Sequence, residues 1–194
     1  MNSNKIPIYS TEDFTGMRKA GALASHILDK LQDIIEPGIS TEKINEFSHK
    51  IIIDNGAIPA PLNYKGFPKS ICTSVNHVVC HGIPSKNKIL QAGDIINVDV
   101  TVILDGWHGD SSRMYAAGKI NNKTKSLIKT TYECLLLGIK AAKPGNRLGE
   151  IGYEIQKHAE SNNFSVVRDF CGHGIGKKFH TPPSVLHYGN LGEG

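Results

Sequence analysis

Apolar residues recur along the chain at two periods, and the switches between them mark its elements. Phe14, Met17, Leu23, Ile27, Leu31 and Ile34 approximate a helical stripe. It opens at a Ser10 or Thr11 cap, carries Glu12 and Asp13 in its first turn, and closes at Pro37-Gly38. A second helix begins near Thr41, buries Ile44, Phe47 and Ile51, and ends at Asn55-Gly56. A third runs from about Thr124 to Ala142 on a stripe of Leu127, Ile128, Thr131, Leu135 and Ile139, and Pro144-Gly145 stops it. The fourth spans about Leu148 to Glu160 and gives way to Asn162-Asn163. Between residues 95 and 110 the period drops to two. Val98, Val100, Val102 and Leu104 fall on one face, and Asn97, Asp99, Thr101 and Ile103 on the other.

Asp105-Gly106 follows that run and reads as a two-residue hairpin turn, since a type I′ turn needs positive φ at both positions. Leu104 then opposes Trp107, Thr101 opposes Asp110, and Asp99 opposes Ser112. Asp99 and Asp110 become diagonal neighbours on one face, roughly 7–8 Å apart at the backbone. Two such carboxylates either sit solvated on the polar face or hold a divalent cation between them. A loop one residue longer would send one of them to the other face.

The remaining segments are shorter. Ala57 to Lys69, with three prolines and the aromatics Tyr64 and Phe67, reads as a loop bordering a pocket. Ile71 to Ser74 and Val78 to His81 are expected strands around a turn at Val75-Asn76-His77. Phe164 to Phe170 reads as a strand. The glycine-rich Cys171–Gly176 suits a bulge or a close backbone approach.

These pieces repeat. Glu36-Pro37-Gly38 matches Lys143-Pro144-Gly145 at an offset of 107 residues, which also brings Ile44 onto Ile151 and Asn55 onto Asn162. Two copies follow, about 11–117 and 118–194, each reading helix, Pro-Gly, helix, Asn turn, strand. A second hairpin would begin near residue 202, so the second copy is expected to be incomplete.

Composition narrows the function. The chain has 194 residues, formal charge +4 and no long basic run, so no nucleic-acid footprint is expected. The N-terminal tail lacks a secretory apolar stretch, and no run of about 20 apolar residues would span a membrane. Cys72, Cys80, Cys134 and Cys171 make no CxxC pair, which fits free thiols in a cytoplasmic protein.

Asp99, Asp110 and His173 form a mixed oxygen and nitrogen donor set, suited to Co, Mn, Fe or Zn more than to Mg or Ca. His81 and His180 each lie beside glycine, proline or aromatic residues rather than in a helix stripe. Four stretches carry a resemblance. They are 63–70 (NYKGFPKS) with 74–84 (SVNHVVCHGIP), 97–102 (NVDVTV) with 106–112 (GWHGDSS), 172–176 (GHGIG), and Phe179-His180 with 186–188 (LHY). In that order they resemble the bacterial type I methionine aminopeptidases over nearly the whole chain.

The resemblance implies an α/β (α+β) pita-bread fold with a pseudo-twofold repeat. It implies a metalloexopeptidase that removes the N-terminal methionine of nascent polypeptides with a metal-activated water. Two divalent ions would be held by Asp99 as a terminal ligand, Asp110 as a bridge and His173 on the second metal. His81 and His180 would contact the substrate at the scissile bond, and Tyr64, Phe67, Cys72 and Phe179 would line the methionine pocket. The family's two glutamate ligands have no counterpart here, since Glu193 matches neither motif. A truncated, inactive chain is therefore one expectation. An X-Pro aminopeptidase or prolidase of the same fold, and a catalytically silent binding module, are the alternatives. A cytoplasmic monomer working near the ribosome completes the reading.

Overall fold

The computed structural model describes residues 6–194; residues 1–5, the start of the expected tail, lie outside the described residues. In chain order the elements are α1 (Thr11–Leu31), α2 (Thr41–Asp54), β1 (Ile58–Pro59), a 3₁₀ turn (Tyr64–Gly66), β2 (Cys72–Val75), β3 (Ile95–Leu104), β4 (Trp107–Ala116), α3 (Asn122–Ala141), α4 (Leu148–Ser161), β5 (Gly172–Gly174) and β6 (Thr181–Val185). They form two compact units. One comprises Ile8–Ile120 with Ile175–Phe179, and the other is built chiefly on Asn121–Gly174 and His180–Gly194.

In the first unit the β3–β4 hairpin organises everything else. Its turn has φ of 51° at Asp105 and 79° at Gly106, so both central residues are left-handed and the strands keep their twist. Leu104 pairs with Trp107, Thr101 with Asp110 and Asp99 with Ser112, the expected register. Strand β4 takes one edge of β3. Strands β2 and β1 share the other, with Cys72 opposite Asp99 and Ile58 opposite Ile103. Val98, Val100 and Val102 are fully buried and share one core with Ala20, Ala24, Ile27, Leu28 and Leu31 of α1. Gly109 is what allows α1 so close to β4, because a Cβ there would overlap the backbone of Ala20 and Gly21.

Helix α1 starts at a reciprocal Ser10–Asp13 capping box, as its sequence suggests. It stops at Leu31 rather than at Pro37-Gly38. The N–H groups of Gln32, Asp33 and Ile34 bond carbonyls three residues back, which tightens the last turn out of the α-helix. Helix α2 keeps its expected limits and buries Ile44 fully, but Phe47 and Ile51 only partly; Ile52 and Ser48 complete its inner face.

The expected strand at Val78–His81 does not form. Its valines are 38% and 59% exposed, and His81 takes φ of 56°, which a strand does not accommodate. The chain instead turns at Asn76, whose side chain bonds Asp94 and the Ile95 N–H. It returns so that the Gly82 carbonyl accepts from the Thr73 N–H at 2.7 Å.

In the second unit α3 and α4 pack through small residues. Thr130, Cys134, Gly138 and Ala141 are the buried positions of α3, and a Cβ at Gly138 would press on Ile155. The expected stripe is not the buried face: Leu127, Leu135 and Ile139 are 38%, 52% and 62% exposed. Close approach of two helices selects the small-residue face, and the bulky apolar side chains fall on the flank. The strand expected over 164–170 is absent, and pairing begins only at Gly172. Strand β5 pairs β6 with a register shift between His173 and Gly174, which is the bulge its glycines suggest. Strand β6 contains Pro182-Pro183 and carried no strand signal in sequence.

Candidate metal centre and substrate pocket

Strand register puts Asp99 and Asp110 on the same side of the hairpin. Asp99 is largely buried. That burial pushes its carboxyl well above the usual range, and the neighbouring Asp110 charge and a hydrogen bond to Asp110 add to the shift. The two carboxylates are therefore poised around a position that wants positive charge. Thr101, on the same face and almost fully buried, donates from Oγ1 to Asp110 Oδ1 at 2.9 Å and fixes that carboxylate.

Cys72 faces Asp99 across the β2–β3 pair. Its thiol is pushed up to about 12, by burial first and then by the Asp99 and Asp110 charges. Cys80 is raised for the same reasons, burial and then Asp99. Both stay protonated at neutral pH and offer soft, apolar surface next to the acidic pair.

The second unit presents two histidines side by side, with His173 and His180 ring centroids 4.2 Å apart. His173 Nδ1 lies 3.0 Å from the Gly174 carbonyl. A carbonyl only accepts, so Nδ1 carries a proton, and Nε2 is the nitrogen that would face a metal. The donors thus fit a divalent cation in kind. Among the described residues, no group of three or more His, Cys, Asp or Glu stands as a metal cage.

Two of the residues expected to line the side-chain pocket are in contact. Tyr64 and Phe179 pack at 4.9 Å between ring centroids. Phe67 closes the 3₁₀ turn by donating its N–H to the Tyr64 carbonyl. His81 sits exposed in the irregular return beside Cys80. Two residues missed in the sequence belong to this neighbourhood. Thr101 read only as a polar-face residue, and a Thr two positions from an Asp on a strand is a usable signal for a carboxylate clamp. His108 is 8% exposed and gave no sequence signal beyond its place in GWHGD.

Residues 15–194 match metallopeptidase family M24. The chain is 56% identical over 189 residues to the methionine aminopeptidase of Rickettsia prowazekii, covering 97% of this chain and 73% of that one. The crystal structure of methionine aminopeptidase from Rickettsia prowazekii superposes with a TM-score of 0.95, covering 97% of this chain and 75% of the other. The prolidase from Pyrococcus furiosus reaches a TM-score of 0.77 at 19% identity, covering 95% of this chain and 53% of that one, and so shares the fold alone. The chain belongs to family M24 and, within it, to the methionine aminopeptidases, metal-dependent hydrolases of the pita-bread fold that remove N-terminal methionine. Among the described residues no helix is long and apolar enough to cross a membrane.

Proposed function

We propose that Asp99, Asp110 and His173 hold divalent metal at the reacting centre of this aminopeptidase, and that Tyr64, Phe67, Cys72 and Phe179 form the wall met by the methionine side chain. The observation that carries this is the partly buried pair of carboxylates on one hairpin face, whose joint ionisation is costly without a cation. A bound divalent ion, of which the donor set favours Co, Mn, Fe or Zn and the family pattern implies two, supplies Lewis acidity and an acidified water.

The chain's own residues do the rest. Thr101 holds Asp110 in its ligating orientation through the 2.9 Å hydrogen bond. The Gly174 carbonyl keeps the His173 proton on Nδ1. His81 donates to the scissile amide and helps its nitrogen leave, and His180 stabilises charge developing on the carbonyl oxygen. Protonated thiols and aromatic rings exclude water from the side-chain pocket and suit a polarizable thioether. The substrate is the free N-terminus of a nascent polypeptide, met by a cytoplasmic monomer near the ribosome. The two structural units are read as the two copies of the 107-residue repeat.

Metal titration of the chelator-treated protein, with a Met-Ala peptide assay, tests the assignment. Asp99→Asn and His173→Ala should bind less metal and lose turnover together. Cys72→Ser and Phe67→Leu should keep metal and change the preference between Met- and Leu-starting peptides. Lost metal with unchanged preference in the latter pair would put those residues in the wrong role.

A further inference from the structure

We propose that His108 is a positioning residue that sets side-chain selectivity, by clamping the strap Ile175–Phe179 to the hairpin and so fixing Phe179 against Tyr64. The proposal rests on the assignment of Tyr64 and Phe179 to the methionine pocket. Strand β4 places His108 two residues before Asp110, so the two side chains leave the same face of the hairpin. Its Nδ1 is turned to the strap, and among the described residues it joins no group of three or more His, Cys, Asp or Glu.

What it does is grip the strap. The Gly176 carbonyl accepts from the His108 backbone N–H at 2.9 Å and from ring Nδ1 at 3.0 Å. Because a carbonyl only accepts, Nδ1 must carry a hydrogen, so the imidazole is held in one tautomer or as the cation. The same ring lies near-parallel to Phe179, 23° between planes and 5.6 Å between centroids. Phe179 in turn meets Tyr64.

The strap has other fastenings on the hairpin side. Lys177 sits over the Trp107 ring at 5.1 Å, Tyr9 meets that ring edge-on at 5.6 Å, and Gly176 is buried where a Cβ would overlap the Tyr9 hydroxyl. His108 both bonds the strap backbone and stacks on its pocket residue. Loss of one hydrogen bond and one ring contact would let Phe179 drift, weakening side-chain binding by about tenfold without altering the reacting groups.

Trp107 is the single tryptophan of the chain and lies against the strap, so its emission reports docking independently of turnover. In the metal-loaded enzyme, His108→Ala should raise KM for a Met-Ala peptide about tenfold with kcat within about twofold. It should also narrow the preference for Met over Leu, red-shift Trp107 emission and increase its quenching by acrylamide. His108→Asn keeps a donor for the Gly176 carbonyl and should restore the emission. His108→Phe keeps the stack and should recover part of the preference.

Phe179→Ala is the control. If it leaves the Met-over-Leu preference unchanged, the pocket assignment is wrong and the clamp has nothing to position. If Phe179→Ala changes the preference but the His108 variants do not, the clamp proposal fails and the pocket assignment survives. Unmoved Trp107 emission in His108→Ala also overturns it, as does an equal fall in kcat and thermal stability across all His108 variants with no change in KM or preference.

Discussion

Replacing Asp99 with Asn in the metal-free enzyme should make the protein more stable, and only above mildly acidic pH. Burial and the adjacent Asp110 charge push the Asp99 carboxyl from 3.8 up to about 7. At about 1.36 kcal/mol per unit, ionising it in the folded state costs at most about 4 kcal/mol, and relaxation of the pair leaves on the order of 2. The sign follows from proton linkage. Below pH about 4 the carboxyl is protonated in both folded and unfolded chains, and Asp99→Asn should be nearly neutral. Between pH 4 and 7 the folded state keeps a proton that the unfolded state has released, so the parent protein loses stability as pH rises. Above pH 7 the whole cost is present, and the variant avoids it. In chelator at pH 8 the melting temperature should rise by about 4–8 °C, shrinking toward zero at pH 4. Added divalent metal should reverse the order, because a cation at 100 times its dissociation constant stabilises the parent by about 2.7 kcal/mol and the variant by less. A variant that melts lower than the parent in chelator at pH 8, or that gains equally at pH 4, would refute the claim that these carboxylates repel across a site built for a cation.

Thr101→Val should lower metal affinity by about 10–100-fold in a chelator-competition titration while costing only about 1–2 kcal/mol of stability, since it removes the donor to Asp110 Oδ1 and keeps the shape. Ile27→Ala should cost about 2–5 kcal/mol in denaturant melts, since Ile27 is fully buried, whereas Ile139→Ala on the exposed flank of α3 should cost less than about 1.

The hairpin was legible because two signals agreed on it. Val98, Val100 and Val102 alternate with polar residues, and Asp105-Gly106 is chemistry for a left-handed pair. Pattern and a two-residue turn together leave one register, and that register puts Asp99 and Asp110 on one face. The return at 76–82 was not legible for the converse reason. Val78 and Val79 look like strand residues, but Asn76 is taken by Asp94 and Ile95, and positive φ at His81 breaks extension. Those ties come from residues nearly twenty positions away, which no local window contains. Strand β6 was hidden by Pro182-Pro183, tolerated because β6 pairs only with the short β5. Of the candidate site, residue types and their motifs nominated the donors. The Thr101 hydrogen bond to Asp110 and the His108 contacts with the strap required the pairing and the strap to be seen.

Helix α3 shows why a correct stripe can still name the wrong core. Adding 107 to the bounds of α2, Thr41–Asp54, gives those of α4, Leu148–Ser161. Applied to α1, the same shift carries Leu23, Ile27 and Leu31 onto Thr130, Cys134 and Gly138, and all six are buried. It carries Ala20 and Leu28 onto Leu127 and Leu135, and here the copies part. Ala20 and Leu28 are buried in the core shared with β3 and β4, while Leu127 and Leu135 are exposed. Period reports which positions of a helix share a face, and both helices have the stripe their periods indicate. Burial is conferred by whatever lies on that face. For α1 it is the Val98–Val100–Val102 surface of the hairpin; among the described residues, nothing comparable lies on the flank of α3. Helix α3 also carries small residues where α1 carries Leu23, Ile27 and Leu31, so α4 packs there instead. A helix with one small-residue face and one bulky apolar flank is committed to its neighbour helix by the first and available for a sheet by the second.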